Sequence, residues 1–173
     1  MTADVESLEP PLAPPPEAGL GRLGHAAYWI GSAGLLIATA ADAIAVAGRH
    51  TGFHLLGSIE VVQASVVLIA SSAMVAATIV GAHASVHILT ERLRPATAQR
   101  LARGAALLGA LLFLLVAAGS IWVASDLWSG FEQTELLGIK LRWLRILWIA
   151  AALLIVGLFL RSAFSRAAER HSA

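Results

Sequence analysis

The sequence predicts an all-α integral membrane protein with four transmembrane helices and both termini in the cytoplasm. Of its 173 residues, 58% are hydrophobic and 13% are charged, and the mean hydropathy is +0.77. These values lie outside the range of an ordinary soluble domain. Four apolar windows are each long enough to cross about 30 Å of hydrocarbon, which takes roughly twenty helical residues. The windows are residues 26–47, 59–82, 105–124 and 141–160.

The segments outside the membrane domain, which we place at residues 25–162, are short and polar. The first 17 residues contain four acidic residues and five prolines, so we expect residues 1–24 to form a disordered cytoplasmic tail and not a signal peptide. Residues 19–24 match G-x-G-x-x-G, but no strand precedes them, and we interpret them as a hinge. Residues 163–173 are expected to form a short basic tail.

The second apolar window continues beyond the length that a crossing needs. Residues 61–90 carry no charge, so we expect residues 84–93 to lie along the membrane interface until Pro95 ends the helix. At the other end of this window, Ser58 is a candidate N-cap and Glu60 lies in the first turn.

The distribution of basic residues predicts the orientation. With a cytoplasmic N-terminus, eight of the twelve lie in inner segments and four in outer loops, which favours cytoplasmic termini. Four tryptophans flank the second outer loop, as expected of a membrane-interface belt. These tryptophans are Trp122, Trp128, Trp143 and Trp148.

Few charged groups lie at membrane depth, where an unpaired charge is costly. Asp42 is about five residues from the outer end of the first window, Arg49 is two turns further along the same face, and Arg145 lies at a similar level in the fourth window. We interpret Asp42 as part of a structural ion pair or as a carboxylate that reaches interfacial water. An ion relay is the alternative, although no second acidic residue lies deep in any window.

Histidine placement raises one further alternative, a haem-binding subunit of an electron-transfer enzyme. Such a site needs histidines on facing helices at the same depth. His83 and His87 share one face of the second helix, whereas His50 and His54 lie at the opposite side of the membrane. We therefore expect no haem, no metal site with Glu91 and no other cofactor. Cysteine is absent, and no serine has the partners of an activated nucleophile, so we expect no enzyme activity and no catalytic residues.

Small residues recur at spacings that let helices approach closely. They are Gly34 and Ala38, then Ala73, Ala77 and Gly81, then Ala105 and Gly109. These stripes serve either the internal bundle or a membrane partner.

Three further patterns occur in order along the chain. An arginine, Arg49, ends the first helix, and an acidic residue, Glu60, begins the second. A run of the form G-x-H-x-x-V-x-x-L-x-x-R-L follows at residues 81–93 and contains Gly81, His83 and Arg92. The segment E-Q-T-E-L-L-G-I-K precedes the fourth helix and contains Gln133 and Gly138. Because these patterns occur in this order, the chain resembles, over residues 24–161, the small permease subunit of tripartite ATP-independent periplasmic (TRAP) transporters.

The resemblance implies a scaffold in the bacterial inner membrane. Its partners would be a large permease subunit, which carries the substrate and the coupling sodium ions, a periplasmic protein that delivers an organic acid, and membrane lipids, but no nucleic acid. The chain departs from the family pattern at Ala84, His87 and Lys140, where the family has charged residues or proline. Nine residues are candidates for structural or interface roles: Asp42, Arg49, Glu60, Gly81, His83, Arg92, Gln133, Gly138 and Arg145.

Overall fold

The computed structural model describes residues 21–52, 56–81, 95–130 and 132–168. These residues form four helices: α1 (Arg22–Thr51), α2 (Ser58–Val80), α3 (Pro95–Asp126) and α4 (Leu141–Ala168). All four contain spans that are long and apolar enough to cross a membrane. The all-α, four-span fold class predicted from the sequence is therefore confirmed, and the described residues contain no strand beyond one isolated bridge. Orientation remains a prediction.

α1, α3 and α4 extend beyond their apolar windows, whereas α2 ends two residues before the end of its window. α3 starts at Pro95, ten residues before its window, because the sequence there is rich in Ala, Gln, Arg and Leu and proline is well tolerated in a first helical turn. α4 continues to Ala168, into the segment predicted as a tail. α2 ends at Val80, where Gly81 adopts a left-handed conformation (φ +70°) and its amide donates to the Thr78 carbonyl. The predicted interfacial segment, residues 84–93, lies outside the described residues.

The helices pack in the order α1, α2, α4, α3, since the main contacts join α1 to α2, α2 to α4, and α4 to α3. All four helices contribute buried apolar residues, and the core cluster draws on three of them. Ile155 of α4 is 1% exposed and clusters with Val75 of α2 and Ala27 of α1. One turn further along α4, Phe159 stacks on Phe113 of α3, with ring centroids 6.0 Å apart, and both rings pack against this cluster.

α1 contacts α2 through a stripe of small residues with alternating steps of three and four. This spacing keeps one narrow face of a helix against its neighbour over its full length. The stripe contains only glycine and alanine: residues 24, 27, 31, 34, 38, 41, 45 and 48. It includes Gly34 and Ala38, which the spacing had identified. A Cβ built on Gly34 would lie 3.1 Å from Ile69 and 3.3 Å from the Ser65 carbonyl oxygen, so the two backbones approach closely.

The opposing face of α2 is also narrow but polar. Ser65 and Ser72 are buried, and each hydroxyl donates to the carbonyl four residues earlier in its own helix, at 2.8 and 2.7 Å. These bonds satisfy the hydroxyls within the buried contact between the two helices. By contrast, Ala73 and Gly81 are exposed and Ala77 is half-buried, so this predicted stripe remains largely outside the internal packing.

The small-residue stripe in α3 serves the internal bundle in part. Gly109 lies against the Phe159 ring, 3.0 Å from where its Cβ would be, whereas Ala105 is exposed. The glycine thus makes room for the aromatic pair that joins α3 to α4.

The close approach of α1 to α2 predicts a position-specific effect of added side-chain volume. Gly34→Leu should destabilise the protein by about 1–3 kcal/mol, because the new side chain must push against Ile69 and the α2 backbone. Gly104→Leu is the matched control, since a Cβ at Gly104 meets nothing within 4 Å. Reversible unfolding in mixed micelles measures both free energies. Equal stability of the two variants would contradict the packing described.

Candidate interface site at the loop before the fourth helix

Residues 132–140, which we call the clamped loop, fold into a closed turn between α3 and α4. Its ends are joined by an antiparallel bridge between Gln133 and Lys140, and the Thr134 amide donates to the Ile139 carbonyl at 3.0 Å. Within it, the Gly138 amide donates to the Thr134 carbonyl, which closes one helical turn. Gly138 has φ +64° and ends that turn, as a left-handed glycine commonly does.

A single helical turn leaves the amides at its beginning without internal acceptors. Here the acceptor is the Glu60 carboxylate, contributed by the first turn of α2. Its Oε1 accepts from the Leu136 amide and its Oε2 from the Leu137 amide, both at 2.8 Å. Successive amides that converge in this way form an anion-binding concavity. A carboxylate from α2 therefore caps a turn more than 70 residues away in the chain.

Gly57 provides the second contact between the loop and α2. It has φ +86°, and a Cβ there would lie 2.7 Å from Cγ of Leu137. Its carbonyl accepts the Glu60 and Val61 amides at 3.0 and 3.1 Å, so Gly57 is the N-cap of α2. The prediction that Ser58 is the N-cap was wrong: Ser58 is already helical, and no side chain caps this end.

The charged candidates are arranged differently from the expected ion pair. Arg145 lies 2.6 Å from Glu132, which the sequence analysis did not identify as its partner. Asp42 and Arg49 are both exposed, and within the described ranges neither has an ion-pair partner. The positions of Asp42 and Arg49 do not support an ion relay. Asp42 remains a candidate for contact with interfacial water or another protein.

The remaining site candidates fall at the other end of the molecule or outside the described residues. Gly81 caps the end of α2, whereas His83 and Arg92 lie outside the described residues. Gln133 and Gly138 belong to the clamped loop together with Thr134. In the parts of the chain that the structure describes, no three histidine or carboxylate side chains converge on a possible metal site.

Sequence reasoning identified Glu60 and the loop separately but missed the bonds between them. The partners of Glu60 are backbone amides, which every loop residue carries and no residue type reveals. The available signal was the co-occurrence of an acidic residue at the start of α2 and a T-x-x-x-G turn before α4.

These features define a class of protein: a multi-pass helical membrane subunit whose polar loop is held by its own carboxylate. A family model described as "Tripartite ATP-independent periplasmic transporters, DctQ component" matches residues 29–169, which is more than half of the chain. The chain therefore belongs to this family and is the small permease component of a TRAP transporter, a multi-pass protein of the bacterial inner membrane. The family is one of transporter components. No curated protein and no solved structure matches the chain significantly.

The contact between Gly57 and Leu137 predicts different costs for two alanine substitutions. Gly57 and Gly52 both have left-handed backbones, so alanine is strained at either position. Only at Gly57 must a side chain, Leu137, also move aside. Gly57→Ala should therefore lower the free energy of unfolding by about 1 kcal/mol more than Gly52→Ala. Equal losses in the same micelle assay would show that Leu137 does not pack on Gly57.

Proposed function

We propose that this small subunit is a static scaffold for the large, sodium-coupled permease subunit, in a transporter that takes up an organic acid delivered by a periplasmic binding protein. Family membership supports this proposal because the component belongs to a tripartite system. The observation that carries it further is the clamp between Glu60 and the loop: it joins the start of α2 to the connection between α3 and α4. A part that stays fixed while another subunit moves needs such cross-links.

The exposed surface of the bundle is consistent with a membrane partner. Ala73 and Gly81 present small residues away from the internal core, and small residues let a second helix approach closely. At the other end of the helices, Arg49 is exposed, and so are the bulky side chains of Leu136 and Trp143. We assign the large subunit to the α2 surface and treat Asp42, Arg49 and the clamped loop as candidate contacts.

The scaffold proposal predicts co-purification of the large permease subunit with this chain. Glu60→Gln should reduce the amount of large subunit retained, because a loosened loop no longer presents a fixed surface. The maximal uptake rate should fall as well, and the apparent substrate affinity should stay unchanged. Glu135→Gln, on an exposed carboxylate of the same loop, is the control and should behave as the unaltered chain. Co-expression, affinity capture and uptake into proteoliposomes measure these effects.

Two results would contradict the proposal. If the chain is a stable monomer that never captures the large subunit, it is not a scaffold. If Glu60→Gln changes the apparent affinity for substrate at normal assembly, the subunit contacts substrate.

We also propose that both termini lie in the cytoplasm, as the eight basic residues of the inner segments favour. The chain lacks cysteine, so a single introduced cysteine is the only thiol of this protein that a reagent can label. In intact cells with a permeabilised outer membrane, Ser129→Cys should react with an impermeant thiol reagent, because Ser129 is exposed beside the clamped loop. Cysteines at Ala13 and Ala173 should react only after lysis. The opposite pattern would invert the topology.

A further inference from the structure

A charged pocket of about 280 Å³ lies between the end of α3 and the start of α4. Among the lining residues that the structure describes, three are basic, Lys140, Arg142 and Arg145, and one, Glu132, is acidic. Arg145 is paired with Glu132 at 2.6 Å. Two positive charges, on Lys140 and Arg142, are therefore left without an opposite charge from the residues that form the pocket.

The position of the charged pocket strengthens its attraction for an anion. Lys140 and Arg142 flank Leu141, the first residue of α4, and the start of a helix carries a partial positive charge. Trp128, which also lines the pocket, follows directly on the apolar span of α3, at the level where tryptophans meet lipid headgroups. The site thus combines excess positive charge with a position at the membrane interface.

A mainly apolar groove of about 580 Å³ adjoins this pocket, between α2, α3 and α4, and its lining also includes Thr134 and Glu60, whose carboxylate is held by the clamped loop. Arg145 lines both cavities. On α3 the groove extends from Val123 to Leu115, which is about 12 Å of helix. Gly119 lies midway, and a Cβ there would meet nothing within 4 Å, so the absence of a side chain keeps the groove open.

We propose that the charged pocket and the apolar groove together form a binding site for one phospholipid. Lys140 and Arg142 bind the phosphate, and one acyl chain lies along the groove past Gly119. Charge complementarity selects an oxyanion, and the adjoining groove selects one that carries a hydrocarbon chain. A free organic acid would fill only the pocket, and a helix of another subunit would fill only the groove. This inference does not depend on the proposed scaffold role.

The test is lipid retention by the full-length chain, measured by native mass spectrometry after delipidation and addition of dioleoyl phosphatidylglycerol or dioleoylglycerol. The phospholipid should be retained and the phosphate-free lipid released. The double variant Lys140→Gln/Arg142→Gln should weaken retention about tenfold or more. The control Arg100→Gln/Arg161→Gln removes two exposed charges near the other end of the helices and should retain lipid normally. Equal loss in both double variants would overturn the proposal.

A second pair of variants tests the acyl-chain part of the site. Gly119→Leu fills the groove and should weaken retention of phosphatidylglycerol about as much as loss of the two charges. Gly104→Leu, which also projects into open space on α3, should have no effect. If Gly119→Leu retains lipid normally and inorganic phosphate displaces it at millimolar concentration, the pocket binds a free anion and the phospholipid proposal is wrong. Circular dichroism checks that each variant keeps its helices.

Discussion

The hydrogen bonds between the Glu60 carboxylate and the clamped loop are the constraint on which the rest of this end of the molecule depends. The turn from Thr134 to Gly138 offers converging amides that have no acceptor within the turn itself. Glu60 supplies both carboxylate oxygens at 2.8 Å. The same contact places Leu137 over Gly57. The connection between α3 and α4 is thereby fixed to the beginning of α2, and the two helical hairpins are joined by polar bonds as well as by the packing of α2 on α4.

Within the apolar spans, α1 packs on α2 through the close approach of small residues, whereas an aromatic pair joins α3 to α4. Lipid tails are as apolar as leucine, so burial alone gives little advantage to helix association in a membrane. The glycines and alanines of α1 bring its backbone against α2, and Gly109 makes room for Phe159. Large apolar side chains such as Leu36 and Leu108 instead face outward, at 71% and 68% exposure. A wide surface is consequently left for lipid and for other subunits.

The sequence predicted the features that local patterns encode. Apolar length defined four spans, and three ordered motifs indicated the family. Helix ends were less predictable: residues 95–104 are polar enough to lie outside an apolar window, yet they favour helix and extend α3. The partner of Glu60 was not predictable from residue types, because its donors are backbone amides more than 70 positions away. Likewise, Arg145 was matched by depth with Asp42, but it pairs with Glu132, which the turn brings beside it.

The most direct test of this account is amide hydrogen exchange in the clamped loop. If the Glu60 carboxylate holds the turn, the Leu136 and Leu137 amides should exchange on the order of tenfold faster in Glu60→Gln, because glutamine offers only one oxygen and no charge. Glu135→Gln removes a carboxylate from the same loop and should leave both rates unchanged. Exchange in Glu60→Gln at the rate of the unaltered chain would contradict the account, since the loop would then keep its conformation without the clamp.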